Sequence, residues 1–452
     1  MPKSGPLALH RLLCAVLRNP LDMWSSRHFA EPIVVSRTPL GTRIVVSDPA
    51  AVKWILADNA ANYARDNLQQ RVLLRVTGRS VFSAEGTDWR LQRKALAPFF
   101  SPKAVASYLP AMMAAGEACA FRLGGAAGGM IDLPQAMAAA TADVIGRTLF
   151  PGILAEAPES IARSVRRFAD AAGPVGVEDL LGLPVWGQGL RWLQGRAAAQ
   201  SVRRRARSVI AASARAPGGF DTSVAGALAA ASDAENSRRL SAREIEDNIS
   251  TLIGAGSDTV AAALTWSVFL LSQAPAVRRT VEREIDAVLG SGAPGAEALE
   301  RLVWTRAVFE EAMRLYPPAP LIGRVALGAD SFGGQRIAAG TVVLIAPWVL
   351  HRHKLLWKNP DGFAPERFLP GARETIPKFA FLPFGAGPRA CIGMGFAMQE
   401  GIALLAALLR QLRFERADDR PVRLLHCVTL QPRGGLRMRV SSRRVPPAGL
   451  RA

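Results

Sequence analysis

Residues 241–275 specify the one element around which any fold of this chain must be built. Ser241 followed three positions later by Glu244 is a capping-box pattern, which starts a helix by satisfying its first free N–H groups. No proline then interrupts the chain until Pro275, so the predicted helix is roughly 50 Å long at 1.5 Å per residue. Its stretch 252–271 is apolar nearly all round, and a helix of that kind is buried on every side. A chain of 452 residues, 49% of them hydrophobic, is long enough to wrap a core around it. Two residues in the stretch cost stability and need a reason. Asp258 is a charge among apolar neighbours, and Gly256 in a helix centre costs roughly 1 kcal/mol relative to alanine.

The other signals are mostly helical. Further helices are predicted at 103–123, 133–150, 276–289, 302–316 and 391–412. Short β segments are predicted at 32–35, 42–46, 335–337 and 341–346. There is no internal repeat at solenoid periods and no linker long enough to mark a break. The expected class is mainly α with a small β region: one domain over 31–452, preceded by a lead segment 1–30.

Several function classes drop out on composition. Cys14, Cys119, Cys391 and Cys427 lie far apart with no Cys-x-x-Cys pair, which argues against a disulfide framework and for a reducing, cytoplasmic setting. The apolar run 7–17 contains His10 and Arg11, lacks a small-residue cleavage site and is shorter than the ~20 residues of a membrane span. A short surface helix is expected there, with membrane contact at most peripheral. The formal net charge of +19 is mostly arginine, concentrated at Arg203, Arg204, Arg205 and Arg207 and in the tail 437–451. No aromatic-basic interleaving, zinc spacing or helix-turn-helix pattern accompanies it, so nucleic acid is not expected as a partner. Solvated faces are the plain reading, and steering of an acidic protein partner is the alternative.

The sharpest local pattern is Phe384-Gly-Ala-Gly-Pro-Arg-Ala-Cys-Ile-Gly393. Its glycines let the backbone approach a flat ligand closely, and Gly387 and Gly393 flank the cysteine. With Cys391 at the start of a predicted helix, free N–H groups and the positive dipole end favour thiolate over thiol. Arg389 adds a cation able to hold an anionic substituent. A soft metal held by one sulfur suits such a site. Gly385-x-Gly387-x-x-Ala390 also imitates a dinucleotide fingerprint, but no βαβ unit surrounds it and no acidic residue follows about 20 positions on.

In the central helix, Ala255-Gly-Ser-Asp-Thr259 forms a second pattern. Ala255 and Thr259 are four apart and share a face. Without a side chain at Gly256, a planar ligand and a diatomic molecule could lie against the backbone. Thr259 can bond back to a carbonyl one turn earlier, opening a local kink, and Asp258 is then placed to relay protons.

Together these patterns resemble the cytochrome P-450 family, over about residues 42–436. Phe384, Gly387, Arg389, Cys391 and Gly393 match its cysteine loop; Ala255 to Thr259 match its oxygen-activation motif. Trp89 and Arg93 resemble its propionate-binding helix, and Arg324 another propionate contact. Glu311, Arg314 and Arg367 match its structural triad, although a Glu-x-x-Arg alone is usually an exposed pair worth under ~1 kcal/mol. The family usually has His-Arg-Asp where this chain has His351-Arg352-His353, a departure expected to concern only a surface detail.

The resemblance implies the family fold, a triangular helical prism around a long central helix, with haem b on Cys391 as axial ligand. It implies a monooxygenase that inserts one atom of O2 into an apolar or amphipathic small molecule by hydroxylation or epoxidation, with Asp258 and Thr259 delivering protons. Electrons would come from a separate ferredoxin or flavodoxin with its reductase, since no fused reductase is recognisable; a monomer is expected. The aliphatic stretches 65–82, 180–192, 255–263, 319–322 and 426–430 are expected pocket walls, for a fatty acid, terpenoid or steroid. Arg65, Arg71 and Arg75 are candidate anchors for a substrate carboxylate, against the plainer reading of solvated charges. Two alternatives stay open: a haem-thiolate isomerase or dehydratase without external electrons, and a non-catalytic haem sensor or carrier.

Overall fold

The expected cap is present. Ser241 Oγ accepts from the Glu244 N–H, the Glu244 carboxylate accepts from the Ser241 N–H, and the helix runs unbroken over Ala242–Gln273. The computed structural model describes residues 9–38, 41–125, 129–152, 158–176, 179, 189–215, 222–233, 237–290 and 295–443. Among these, Ala242–Gln273 is also long and apolar enough to cross a membrane, but 78% of its most apolar window is buried inside the protein.

Helices pack against this axis from several sides. Leu133–Thr148 lies closest, tied in by Thr141 Oγ1, which donates to the Ser257 carbonyl at 2.7 Å. Leu109–Gly125 packs between it and Met394–Gln411, close enough that a side chain on Gly116 would meet Ala407 at 2.7 Å. One large core joins them, with Trp266, Phe309, Met112 and Leu404 among its buried members. The single helix expected over 103–123 is instead two, Pro102–Ser107 and Leu109–Gly125. Pro110 has no N–H to give to the Ala106 carbonyl, which breaks the ladder there.

A five-stranded sheet stands beside the helices in the order Ile33–Thr38, Gly41–Val46, Val342–Ile345, Ile322–Ala326, Tyr63–Arg65. The lead segment is packed onto this body. Trp24 and Phe29 are buried with Val34, Val45 and Leu344 from the sheet, and Asn19 Nδ2 donates to the Leu424 carbonyl.

The arginine run is not a free solvated face. Arg203 lies 3.6 Å from Glu246 and 3.4 Å from Asp247, and Arg207 pairs with Glu246 at 3.0 Å. Acids in the first turns of the central helix thus absorb part of the basic helix Gly189–Arg215. Of the basic tail, residues 444–452 lie outside the described residues.

Candidate active site

Cys391 does not begin a helix. The helix starts at Met394 with Gly393 at its cap, so the thiol sits in the preceding turn. The Gly393 N–H still points at the sulfur and, with Arg93, favours the thiolate, but dense surrounding protein outweighs both and raises the thiol pKa. The expected pre-formed thiolate is therefore not a property of the protein alone, and a coordinating metal would be what deprotonates it. The residue is nonetheless exposed by surface area. The thiol thus keeps accessible surface although protein surrounds it densely.

The loop is fixed on both flanks. The Cys391 N–H donates to the Phe384 carbonyl at 2.9 Å, and Arg93 donates to the Ala390 carbonyl at 2.9 Å. Gly387 has φ +70°, and a Cβ there would lie 1.7 Å from the Leu56 carbonyl oxygen, in the π-helical turn Trp54–Asp58. Only glycine fits that approach.

Behind the loop, Glu311, Arg314 and Arg367 come together. Arg314 makes two bonds to Glu311, at 2.7 and 2.8 Å, with both side chains at 0% exposure. Its remaining donors go to the carbonyls of His351, Pro360 and Gly362 at 2.6–2.9 Å. Arg367 lies 3.6 Å from Glu311. His351 passes the restraint on, accepting from the Leu382 N–H at 2.8 Å. Burial and the neighbouring Arg314 hold His351 neutral, with its pKa lowered to about 3. His353, expected to be a surface detail, is 1% exposed, and burial lowers its pKa.

Above the loop, guanidinium groups converge. Arg389 donates to the Ala84 carbonyl and to Glu85 and lies 4.0 Å over the Trp89 ring. Arg65 stands directly opposite Arg324 across the antiparallel strand pair, an arrangement in which like charges repel. Burial, and after it the positive charge of Arg389, lower both to about 10. Arg65 Nη1 is buried without a hydrogen-bond partner, while its Nε lies 3.6 Å from the Glu85 carboxylate. With Arg93 and Arg389 over the same Trp89 ring, the cluster carries a net positive charge, which fits a cofactor carrying carboxylates. Arg65, a candidate substrate anchor, is instead largely buried and ion-paired with Glu85. Arg75 is also engaged, with Asp179 at 2.9 Å.

On the central helix, Ala255 is exposed in the middle of a core element, and a Cβ on Gly254 would meet nothing within 4 Å. That open face suits a flat ligand. Gly256 points elsewhere: a Cβ there would meet Ile145 at 2.6 Å, so its missing side chain also serves helix packing. Thr259 Oγ1 donates to the Ala255 carbonyl at 2.8 Å.

Asp258 lies on the next face, with partners that sequence reasoning missed. Thr429 donates to it at 2.5 Å and Gln431 at 3.4 Å, and Gln431 also donates to Thr429. Burial raises its pKa; the Thr429 hydroxyl pulls the other way. The Thr429 hairpin is pinned to the same helix by Trp266, which donates to the Leu430 carbonyl at 2.9 Å. Asp258 also lines a cavity of about 640 Å3 with Arg163, Arg166, Asp170 and His426. Cys391, Ala255 and Thr259 are not among its walls, so it belongs to the acid side of the helix. The expected wall 180–192 lies outside the residues whose side chains are described.

Comparison with known proteins shows the family. The sequence pattern of the cytochrome P450 family matches residues 2–162 and 214–436. Cyclooctatin synthase of Streptomyces melanosporofaciens is 34% identical over 430 residues, covering 93% of this chain and 91% of its own. Protein LUTEIN DEFICIENT 5 of Arabidopsis thaliana is 30% identical over 433 residues, covering 89% of this chain and 71% of its own. Cyclooctat-9-en-7-ol 5-monooxygenase of Streptomyces melanosporofaciens is 28% identical over 421 residues, covering 91% and 88%. The crystal structure of the cytochrome P450DA heme domain superposes with a TM-score of 0.83 at 23% identity, covering 98% of each chain. A cysteine loop braced from behind, a cationic cradle and an open-faced central helix thus sit in a chain that belongs to the cytochrome P450 family, a haem b monooxygenase.

Proposed function

We propose that Cys391 ligates the haem iron and that the enzyme hydroxylates or epoxidises an apolar, ring-containing small molecule. The observation that carries this reading is an accessible thiol on a rigid glycine loop next to a net positive cluster of arginines. Arg65, Arg93, Arg324, Arg389 and Trp89 would hold the propionates, with Phe384, Gly387 and Gly393 shaping the cysteine loop and Ala255 on the open face of the central helix. When bound, the haem supplies activation of O2, and its thiolate ligand pushes electron density that favours O–O cleavage, as is known for cysteine-ligated haem.

The chain's own residues orient and protonate. Asp258 holds a proton to higher pH than an ordinary carboxylic acid and stands next to Thr259, whose hydroxyl faces the side of Ala255. The pair supports oxygen activation over the isomerase or sensor alternatives. The names of the two Streptomyces relatives, one an oxidant of a cyclic alkenol, support a cyclic alkene or alcohol as substrate within the apolar range expected. Four cysteines without disulfides suit a cytoplasmic location.

Two measurements test this. Reduced protein with carbon monoxide should show the far-red-shifted main band of a trans thiolate, and Cys391→Ser should lose both that band and turnover; an unchanged spectrum in the variant sinks the reading. For the partner, an acidic ferredoxin or flavodoxin suits the net charge of +19, and turnover should then fall as salt rises. A salt-independent rate counts against it.

A further inference from the structure

Glu85, the acid among these arginines, occupies a singular position. It ends the loop before the helix Gly86–Leu96, and its carboxylate bridges Arg389 of the cysteine loop and Arg65 of the edge strand. Its backbone neighbour Ala84 gives Arg389 a second acceptor at 2.7 Å. Arg324 faces Arg65 from the next strand and adds a third cation. Among the described residues, Glu85 is the one carboxylate that forms ion pairs with this trio. It offsets one of the positive charges gathered there.

Resting on the haem-thiolate assignment, we propose that Glu85 is a positioning residue that holds Arg65 and Arg389 in register and sets the haem reduction potential. The physical basis is direct. Reduction adds an electron beside a fixed negative charge, which Coulomb repulsion disfavours, while the guanidinium groups favour it. Glu85 is 45% exposed, so solvent screens part of the effect. A shift of about threefold to tenfold in the reduction equilibrium is expected, tenfold being 59 mV for a one-electron couple.

The test is spectroelectrochemical titration of the haem-loaded enzyme. Glu85→Gln should raise the midpoint potential, Arg65→Gln should lower it, and Glu85→Asp should restore a value near that of the parent. Haem loss to an acceptor globin, measured on the same samples, should accelerate in both glutamine variants. Shifts of the same sign in Glu85→Gln and Arg65→Gln would mean loosened structure and overturn the proposal, as would faster haem loss with no shift. Should Glu85→Gln fail to retain haem, Arg65→Gln alone still decides, because an unchanged or raised potential there refutes the charge argument. The carbon monoxide band of the parent enzyme separates this outcome from failure of the haem-thiolate assignment itself.

Discussion

The two sides of the candidate site are built differently. Behind Cys391, Arg314 directs its donors to Glu311 and three backbone carbonyls, and His351 carries the restraint to Leu382. Around Asp258 the polar groups are side chains facing one another, Thr429 and Gln431, with a cavity beside them. Backbone-directed bonds fix where a chain runs. Side-chain bonds beside open space permit a proton to arrive and leave. The contrast separates a part that must not move from a part through which something must pass.

Three substitutions probe that contrast. The largest effect is expected from Glu311→Gln, which leaves a fully buried Arg314 without its counter-charge. Breaking such a pair costs about 3–5 kcal/mol, so chemical unfolding should show a large loss of stability and of haem retention. A loss under about 1 kcal/mol would mean the frame is not what holds the loop.

Next comes Asp258→Asn, where the carbon monoxide spectrum should be unchanged while turnover falls on the order of 100-fold, as for loss of a general acid–base group. A spectral change there would erase the distinction between the two sides. The smallest effect is expected from Thr429→Val. Burial already raises the Asp258 pKa and the Thr429 hydroxyl opposes that rise, so removing the hydroxyl raises it further. The high-pH limit of turnover, set by loss of this proton, should move to higher pH. A limit that stays fixed or moves down shows that Asp258 does not set it.

Legibility in the sequence followed the range of each interaction. The central helix was readable because its cap and its apolar surface are local, and the cysteine loop because its glycines cluster around one thiol. The meeting of Arg65 and Arg324 was not legible, because they face each other across a three-residue strand with no local β signal. Thr429 and Gln431 reach Asp258 from a hairpin more than 170 residues away, at separations that periodicity does not address. The start of the last helix was placed three residues early, since Gly393 reads equally well as a loop glycine or a cap. His353 reads as a surface histidine, and only the packed structure places it inside.

The close approach of Gly387 to Leu56 has a practical consequence for anyone recombining such enzymes. The cysteine segment is not a cassette that can be transplanted by itself, because its shape is half defined by a π-helical turn more than three hundred positions upstream. A chimera whose crossover separates residues 54–58 from residues 384–393 inherits a lock from one parent and a key from the other.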